Sequence, residues 1–172
     1  MYSQKVQPRK SWLRRHRILT AIIAIPLVLV VAFFGTAVVV GIARGVHIAN
    51  AQTPQQLAEA ASWDGHNIAV EDDNGNIIVI RETLNLSSSA STYHNEVVED
   101  CFALQKAFWT RYADLASIQV QVYGPDKRTG TGLFGICAMK HANAARQQWD
   151  QLNAQSGWNV YDEKVLAPAI AN

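Results

Sequence analysis

A long hydrophobic run near the N-terminus constrains this chain more than any other feature. Residues 18–43 form a stretch of 26 residues without a charged side chain. As an α-helix rising ~1.5 Å per residue, the run would be roughly 39 Å long, which exceeds the ~30 Å hydrocarbon core of a bilayer. Tilting of the helix, or a kink at Pro26, would absorb the excess length. The sequence therefore predicts a transmembrane helix over residues 18–43.

The charges on the two sides of this run predict its orientation. Residues 1–17 carry six of the fifteen Lys and Arg residues and no acid, whereas residues 44–172 carry the other nine together with all fourteen Asp and Glu residues. The positive-inside rule places residues 1–17 in the cytoplasm as a basic tail and residues 44–172 outside it. Because nucleic-acid binding needs clustered Lys and Arg, the acidic C-terminal part argues against a nucleic-acid partner.

A cleaved signal peptide is the rival interpretation of the N-terminus. Ala49, Asn50 and Ala51 together resemble an A-x-A cleavage site. Signal peptides, however, usually contain an apolar segment of only ~7–15 residues, and the run here is longer and ends well before Ala51. We therefore predict an uncleaved signal-anchor that crosses the lipid bilayer once, through residues 18–43. Cleavage after Ala51 is the alternative.

Two cysteines, Cys101 and Cys137, lie in the part of the chain that is expected outside the cytoplasm. Two cysteines in an oxidising compartment most simply form a disulfide bond. The closed loop would hold about 36 residues, and its chain-entropy stabilisation would be roughly 4 kcal/mol. Two separate buried thiols are the alternative. The chain has no C-x-x-C motif, which argues against a redox or zinc role for the pair.

The remaining residues predict a connector over 44–62 and a small globular domain over 63–172. Thr53 followed by Pro54 is typical of a helix start, and a short helix over residues 55–61 would form a stalk or pack on the domain. Asn74 and Gly75 suit the centre of a hairpin turn between strands at 67–70 and 77–83.

Apolar spacing then predicts the order of the later elements. A helix over 92–115 would place six apolar residues on one face: Val97, Cys101, Leu104, Phe108, Tyr112 and Leu115. Strands follow at 118–123 and 133–139, then a helix at 141–154 ended by Gly157, then a short fifth strand at 158–161. The fold class is α+β: one transmembrane helix and a two-layer ββαββα(β) domain with a mainly antiparallel sheet.

No spacing in the chain predicts catalysis, a metal site or a cofactor. His66, His94 and His141 lie at the ends of predicted elements, and none forms an H-x-x-x-H or H-E-x-x-H pair. Lys127 and Arg128, in a Gly-rich loop, are candidates for a weak anion contact. Trp149 and Trp158 are the aromatic residues that we expect to be exposed and to take part in binding.

These features favour a membrane-anchored extracytoplasmic interaction module without enzymatic activity. Its expected partner is a protein at the cell surface or in a membrane-associated assembly. A module that binds cell-wall or surface glycans is one alternative, because the domain is rich in aromatic residues. A small extracytoplasmic enzyme is the other, and it would need one of the three histidines to lie beside an acid or a hydroxyl.

Overall fold

The structure is a computed structural model, and it describes residues 28, 43–62, 66–73, 76–84, 90–126, 130–168 and 170. The predicted transmembrane helix at 18–43 and the basic tail at 1–17 lie outside this set, apart from residues 28 and 43. Within the described residues, no helix is both long and apolar enough to cross a bilayer. Residues from Arg44 to the C-terminus form one compact unit, which is an α+β domain with a mainly antiparallel five-stranded sheet.

Residues 43–50 are helical. The next helix, α1, spans Pro54–Ala61 and begins as the sequence predicts. The Thr53 side chain accepts a hydrogen bond from the Gln56 backbone N–H, and Pro54 occupies the first turn, where its missing N–H costs nothing. Leu57, Ala58 and Ala61 are buried in the core. Of the two roles considered for this helix, packing on the domain is the one observed.

Five strands form the sheet in sequence order: β1 Asn67–Asp73, β2 Ile77–Thr83, β3 Ser117–Asp126, β4 Gly130–Lys140 and β5 Glu163–Leu166. The β1–β2, β3–β4 and β4–β5 pairs are antiparallel, whereas β2 and β3 are parallel. Parallel neighbours need a crossover connection, and the helix between β2 and β3 supplies it.

This crossover helix, α2, spans Ala90–Arg111 and packs against β3 and β4. It begins two residues before and ends four residues before the predicted bounds of 92–115. Val97, Cys101, Leu104 and Phe108 are fully buried, which confirms the predicted face. Leu115 is buried beyond the end of the helix, and Tyr112 is half-buried.

Three predictions for the C-terminal part are wrong. The single helix expected at 141–154 is broken into α3 at His141–Ala144 and a 3₁₀ turn at Trp149–Gln151, and a new helix, α4, spans Ala154–Val160. Asn153 starts α4 with a reciprocal capping box to Ser156. The strand expected at 158–161 is therefore helical, and β5 follows it.

Gly157 does not end a helix but lies inside α4, where it is buried. A Cβ atom at this position would come within 2.4 Å of the Phe102 ring. The glycine therefore serves close packing of α4 on α2 and not helix termination.

The outer edge of β1 is occupied by a side chain from α1. The Gln55 amide accepts a hydrogen bond from the Val70 N–H (3.0 Å) and donates one to the Ile68 carbonyl (2.9 Å). These are the backbone groups that a neighbouring strand would otherwise pair with. Gln55 also donates to Glu59 (2.8 Å), which holds the amide in place.

Candidate functional site

The buried face of β2 carries an acid where the pattern calls for an apolar residue. Side chains alternate along a strand, and Ile78, Ile80 and Glu82 all point from β2 into the core. Glu82 is 0% exposed. A charged carboxylate in such a place needs a partner, since burying an isolated charge is costly.

Helix α2 brings a second acid to the same place. Asp100 lies three residues after Val97 and four before Leu104, which is the spacing of the buried face, and it is also 0% exposed. Glu96, one turn earlier, has a buried carboxylate oxygen as well. A β-strand and a helix thus place two acids against each other inside the domain.

His66 completes this group from the residue before β1. Its Nδ1 donates to Glu82 Oε1 at 2.9 Å and lies 3.6 Å from Asp100 Oδ2, and its side chain is only 4% exposed. One ligand atom from each of the three residues can be chosen so that all lie within 4.8 Å of one another. We call His66, Glu82 and Asp100 the His–carboxylate cluster.

Ser62, the residue that ends α1, orients Glu82. Its hydroxyl donates to Glu82 Oε1 at 2.5 Å, so this one oxygen accepts from both Ser62 and His66. Nearby, the Arg44 guanidinium donates to the Ala61 carbonyl. The other Glu82 oxygen, Oε2, is buried without a hydrogen-bond partner among the described residues.

Electrostatics in the cluster favour a neutral Asp100 and a charged His66. Burial, followed by the negative charges of Glu82 and Glu96, raises the pKa of Asp100 to about 9, although the Arg44 charge opposes this shift. The hydrogen bond to Glu82 raises the pKa of His66, and it outweighs the opposite effect of burial.

Asp100 is the least satisfied member of the cluster. Neither of its carboxylate oxygens has a hydrogen-bond partner in the described part of the chain, although both are buried. Buried polar atoms in folded proteins are nearly always paired, so such an atom calls for an explanation. A His nitrogen and two carboxylates can exchange protons or hold a cation.

The two cysteines are both buried in the core. Cys101 and Cys137 are free thiols in the structure, and both are 0% exposed. Burial raises the pKa of the Cys101 thiol, and the Cys137 contact adds to the shift. The disulfide bond between Cys101 and Cys137, and the oxidising compartment that it would need, therefore stay predictions.

Two of the four binding residues suggested by the sequence lie in the described part of the chain. Trp149 and Trp158 are half-buried against the core: the Trp149 ring lies 6.4 Å from that of Phe102, and the Trp158 ring 5.9 Å from that of Tyr161. Neither forms the freely exposed platform that we expected. Lys127 and Arg128 lie outside the described residues.

The other histidines stand apart from the cluster. His94 Nδ1 contacts the Ile170 carbonyl at 3.1 Å, and His141 is exposed with its ring 6.3 Å from that of Trp109. Of the three histidines considered from the sequence, His66 is thus the one that meets acids. Glu82 and Asp100 were missed, although both interrupt an apolar pattern, at the third inward position of β2 and within the buried stripe of α2.

A second candidate site is the sheet face turned away from α2. Strand pairing places Arg81, Gln121, Ile136 and Val165 in one row across four strands, and side chains of this row are exposed or half-buried. We call this surface the open sheet face; its members include Ile77, Val79, Arg81, Gln119, Gln121, Tyr123, Leu133, Ile136 and Val165.

Polar side chains on the open sheet face are linked to one another. Gln121 accepts from Tyr123 Oη (3.0 Å) and Arg81 Nε (3.4 Å) and donates to Gln119 (3.4 Å), while Arg81 also pairs with Glu71 at 2.6 Å. Three large apolar side chains are exposed on the same face: Ile77 at 37%, Leu133 at 41% and Val165 at 49%.

Comparison of the chain with protein-family models, with curated proteins and with solved structures gives no match.

Proposed function

We propose that the chain is a single-pass membrane protein whose α+β domain lies outside the cytoplasm and binds a protein partner through the open sheet face. The anchor rests on the 26 uncharged residues at 18–43 and the orientation on the six Lys and Arg residues before them. The open sheet face is the observation that carries the binding role.

Exposed apolar side chains support a protein partner. Ile77, Leu133 and Val165 lie on one face of a sheet whose opposite face is filled by the core. Leu133 lies three residues from Ile136, the strand partner of Val165, so these apolar side chains share one part of the face, whereas Ile77 pairs with Ser117 towards its other end. Exposed apolar patches mark interaction sites in soluble domains. A broad sheet face also suits a protein better than a small molecule, since small ligands are usually bound in concave pockets.

The linked polar side chains support the same role. Tyr and Arg are enriched at protein interfaces, and here Tyr123 and Arg81 are held by Gln121 before any partner arrives. Side chains that are already ordered lose less conformational entropy on binding. The half-buried packing of Trp149 and Trp158 offers less support for the glycan alternative.

Photo-crosslinking in cells that express the chain naturally would test the partner. A benzophenone amino acid replaces Leu133 on the open sheet face, and the same group replaces Gln155, which is exposed on α4. We expect a discrete protein adduct from position 133 and none from position 155. The adduct should weaken with Val165→Glu and persist with Gln155→Glu, which adds the same charge elsewhere.

Equal crosslinking from both positions, or an adduct that survives Val165→Glu unchanged, would contradict binding through this face. A crosslinked adduct whose mass is twice that of the chain would identify the partner as a second copy.

Thiol labelling of intact cells tests the anchor separately. The native thiols are buried, so a cysteine introduced by Gln155→Cys or Ser3→Cys is the reactive one. A membrane-impermeant maleimide should label position 155 in intact cells and position 3 only after permeabilisation. Labelling of position 3 in intact cells would exclude the proposed orientation.

A further inference from the structure

We propose that His66, Glu82 and Asp100 bind one divalent transition-metal ion of the zinc class, in a site independent of the open sheet face. The geometry carries this inference. Nδ1 of His66 lies 2.9 Å from Glu82 Oε1 and 3.6 Å from Asp100 Oδ2. An ion ~2.1 Å from each of two ligands holds them roughly 3.0–3.4 Å apart in octahedral or tetrahedral geometry. The three ligand atoms lie within 4.8 Å of one another, so the carboxylates would move closer together on binding.

The unpaired oxygens supply an independent reason for a ligand. Asp100 is 0% exposed and both of its oxygens lack a hydrogen-bond partner among the described residues, as does Oε2 of the equally buried Glu82. A cation between the acids would give these oxygens a partner.

Charge balance favours a doubly charged ion. Two ionised carboxylates and a neutral imidazole carry a net charge of −2, which a divalent cation cancels. An ion bound at His66 Nδ1 takes the place of the proton that this atom donates to Glu82.

The donor set indicates the class of metal. One imidazole nitrogen with two carboxylates suits Zn²⁺ or Mn²⁺, whereas Ca²⁺ and Mg²⁺ prefer oxygen ligands alone. Ser62 would act as an orienting neighbour, because its hydroxyl donates to the same Glu82 oxygen that lies beside His66. Carboxylate ligands in metal sites are commonly held by such hydrogen bonds.

Metal titration of the full chain tests the site. The chain is purified without a histidine tag in mild detergent, stripped with a chelator and titrated with Zn²⁺ by calorimetry. We expect one Zn²⁺ per chain and a higher unfolding temperature, with Ca²⁺ binding at least tenfold more weakly. Zn²⁺ affinity should fall by roughly 100-fold or more with Asp100→Asn or His66→Gln, since losing a ligand should cost at least as much as losing a supporting residue.

Asp114→Asn is the matched control, because it makes the same chemical change at an exposed position after α2, and it should leave the affinity unchanged. Binding that is equally tight in wild type and Asp100→Asn, or no binding at all, would overturn the proposal. So would Ca²⁺ binding as tight as that of Zn²⁺.

X-ray absorption at the zinc edge needs no variant and remains decisive if a variant fails to fold. Nitrogen and oxygen neighbours alone support the cluster. Sulfur neighbours would assign the ion to Cys101 and Cys137 and refute the site proposed here.

Discussion

Gln105 and Asp100 occupy the same helix and are both completely buried, yet they are satisfied to opposite degrees. The Gln105 amide donates to the Ile118 carbonyl at 3.1 Å and approaches the Cys137 carbonyl at 3.4 Å, and it accepts from Trp109 Nε1 at 2.8 Å. Asp100 has no hydrogen-bond partner among the described residues. A fully bonded buried polar group contributes to architecture, whereas an unbonded one calls for an explanation, for which we propose a bound ion.

Gln105→Met should have the largest effect on stability. The change keeps much of the side-chain volume but leaves the Trp109 N–H and the Ile118 carbonyl without their partner. We expect a loss of about 3 kcal/mol in the free energy of unfolding, measured by urea denaturation with circular dichroism. Gln151→Met, at an exposed position, should stay within about 0.5 kcal/mol. If Gln105→Met lowered the free energy of unfolding by less than about 1 kcal/mol, the structural role assigned to Gln105 would be wrong.

Glu82→Gln, measured in chelator, should have the next largest effect. The amide keeps the shape but loses the charge that strengthens the hydrogen bonds from Ser62 and His66. We expect a loss of about 2 kcal/mol. Glu71→Gln breaks only the exposed pair with Arg81 and should cost about 0.5 kcal/mol. Equal effects of the two substitutions would mean that burial adds nothing to the Glu82 interactions.

Ser62→Ala should cost about 1 kcal/mol, because it removes one donor from Glu82 and leaves the His66 bond in place. Combined with Glu82→Gln in a double-mutant cycle, it should show coupling of about 1 kcal/mol. Strictly additive losses would show that the hydroxyl does not act through Glu82.

Asp100→Asn should have the smallest effect in chelator, within about 1 kcal/mol of wild type. No hydrogen bond is lost, and the amide has nearly the shape of the protonated acid. The same variant should lose Zn²⁺ binding, so stability and binding separate at this residue. A loss of more than about 2 kcal/mol in chelator would place Asp100 with Gln105 as an architectural residue.

Local sequence signals predicted the parts of the fold that local physics determines. The Thr53–Pro54 helix start, the β2 strand and the buried stripe of α2 are each set by a few adjacent residues. The break after Ala144 was missed, and the Asn153 capping box that begins α4 lies inside the stretch predicted as one helix. The parallel pairing of β2 with β3 was not predicted either, since it depends on the path of α2 between them.

From the sequence, the His–carboxylate cluster is visible only as two acids, Glu82 and Asp100, that stand at positions where the pattern predicts apolar residues. Glu82 and Asp100 are separated by 17 intervening residues, and His66 reaches them from another element. Each acid interrupts a stripe of core residues, which is a visible sign. Their meeting depends on how α2 crosses the sheet, and spacing along the chain carries no information about that crossing.

The Gln55 amide at the edge of β1 has a consequence for self-association. A second chain that extended the sheet there would have to displace Gln55 from both Ile68 and Val70 before forming its own bonds. One side chain thus makes templated growth of the sheet unfavourable along its longer free margin, whereas the opposite margin, β5, is only four residues long. Repeated addition of strands from other chains is a first step towards fibrils. It is disfavoured at the β1 edge by the Gln55 hydrogen bonds and at the β5 edge by the shortness of the strand.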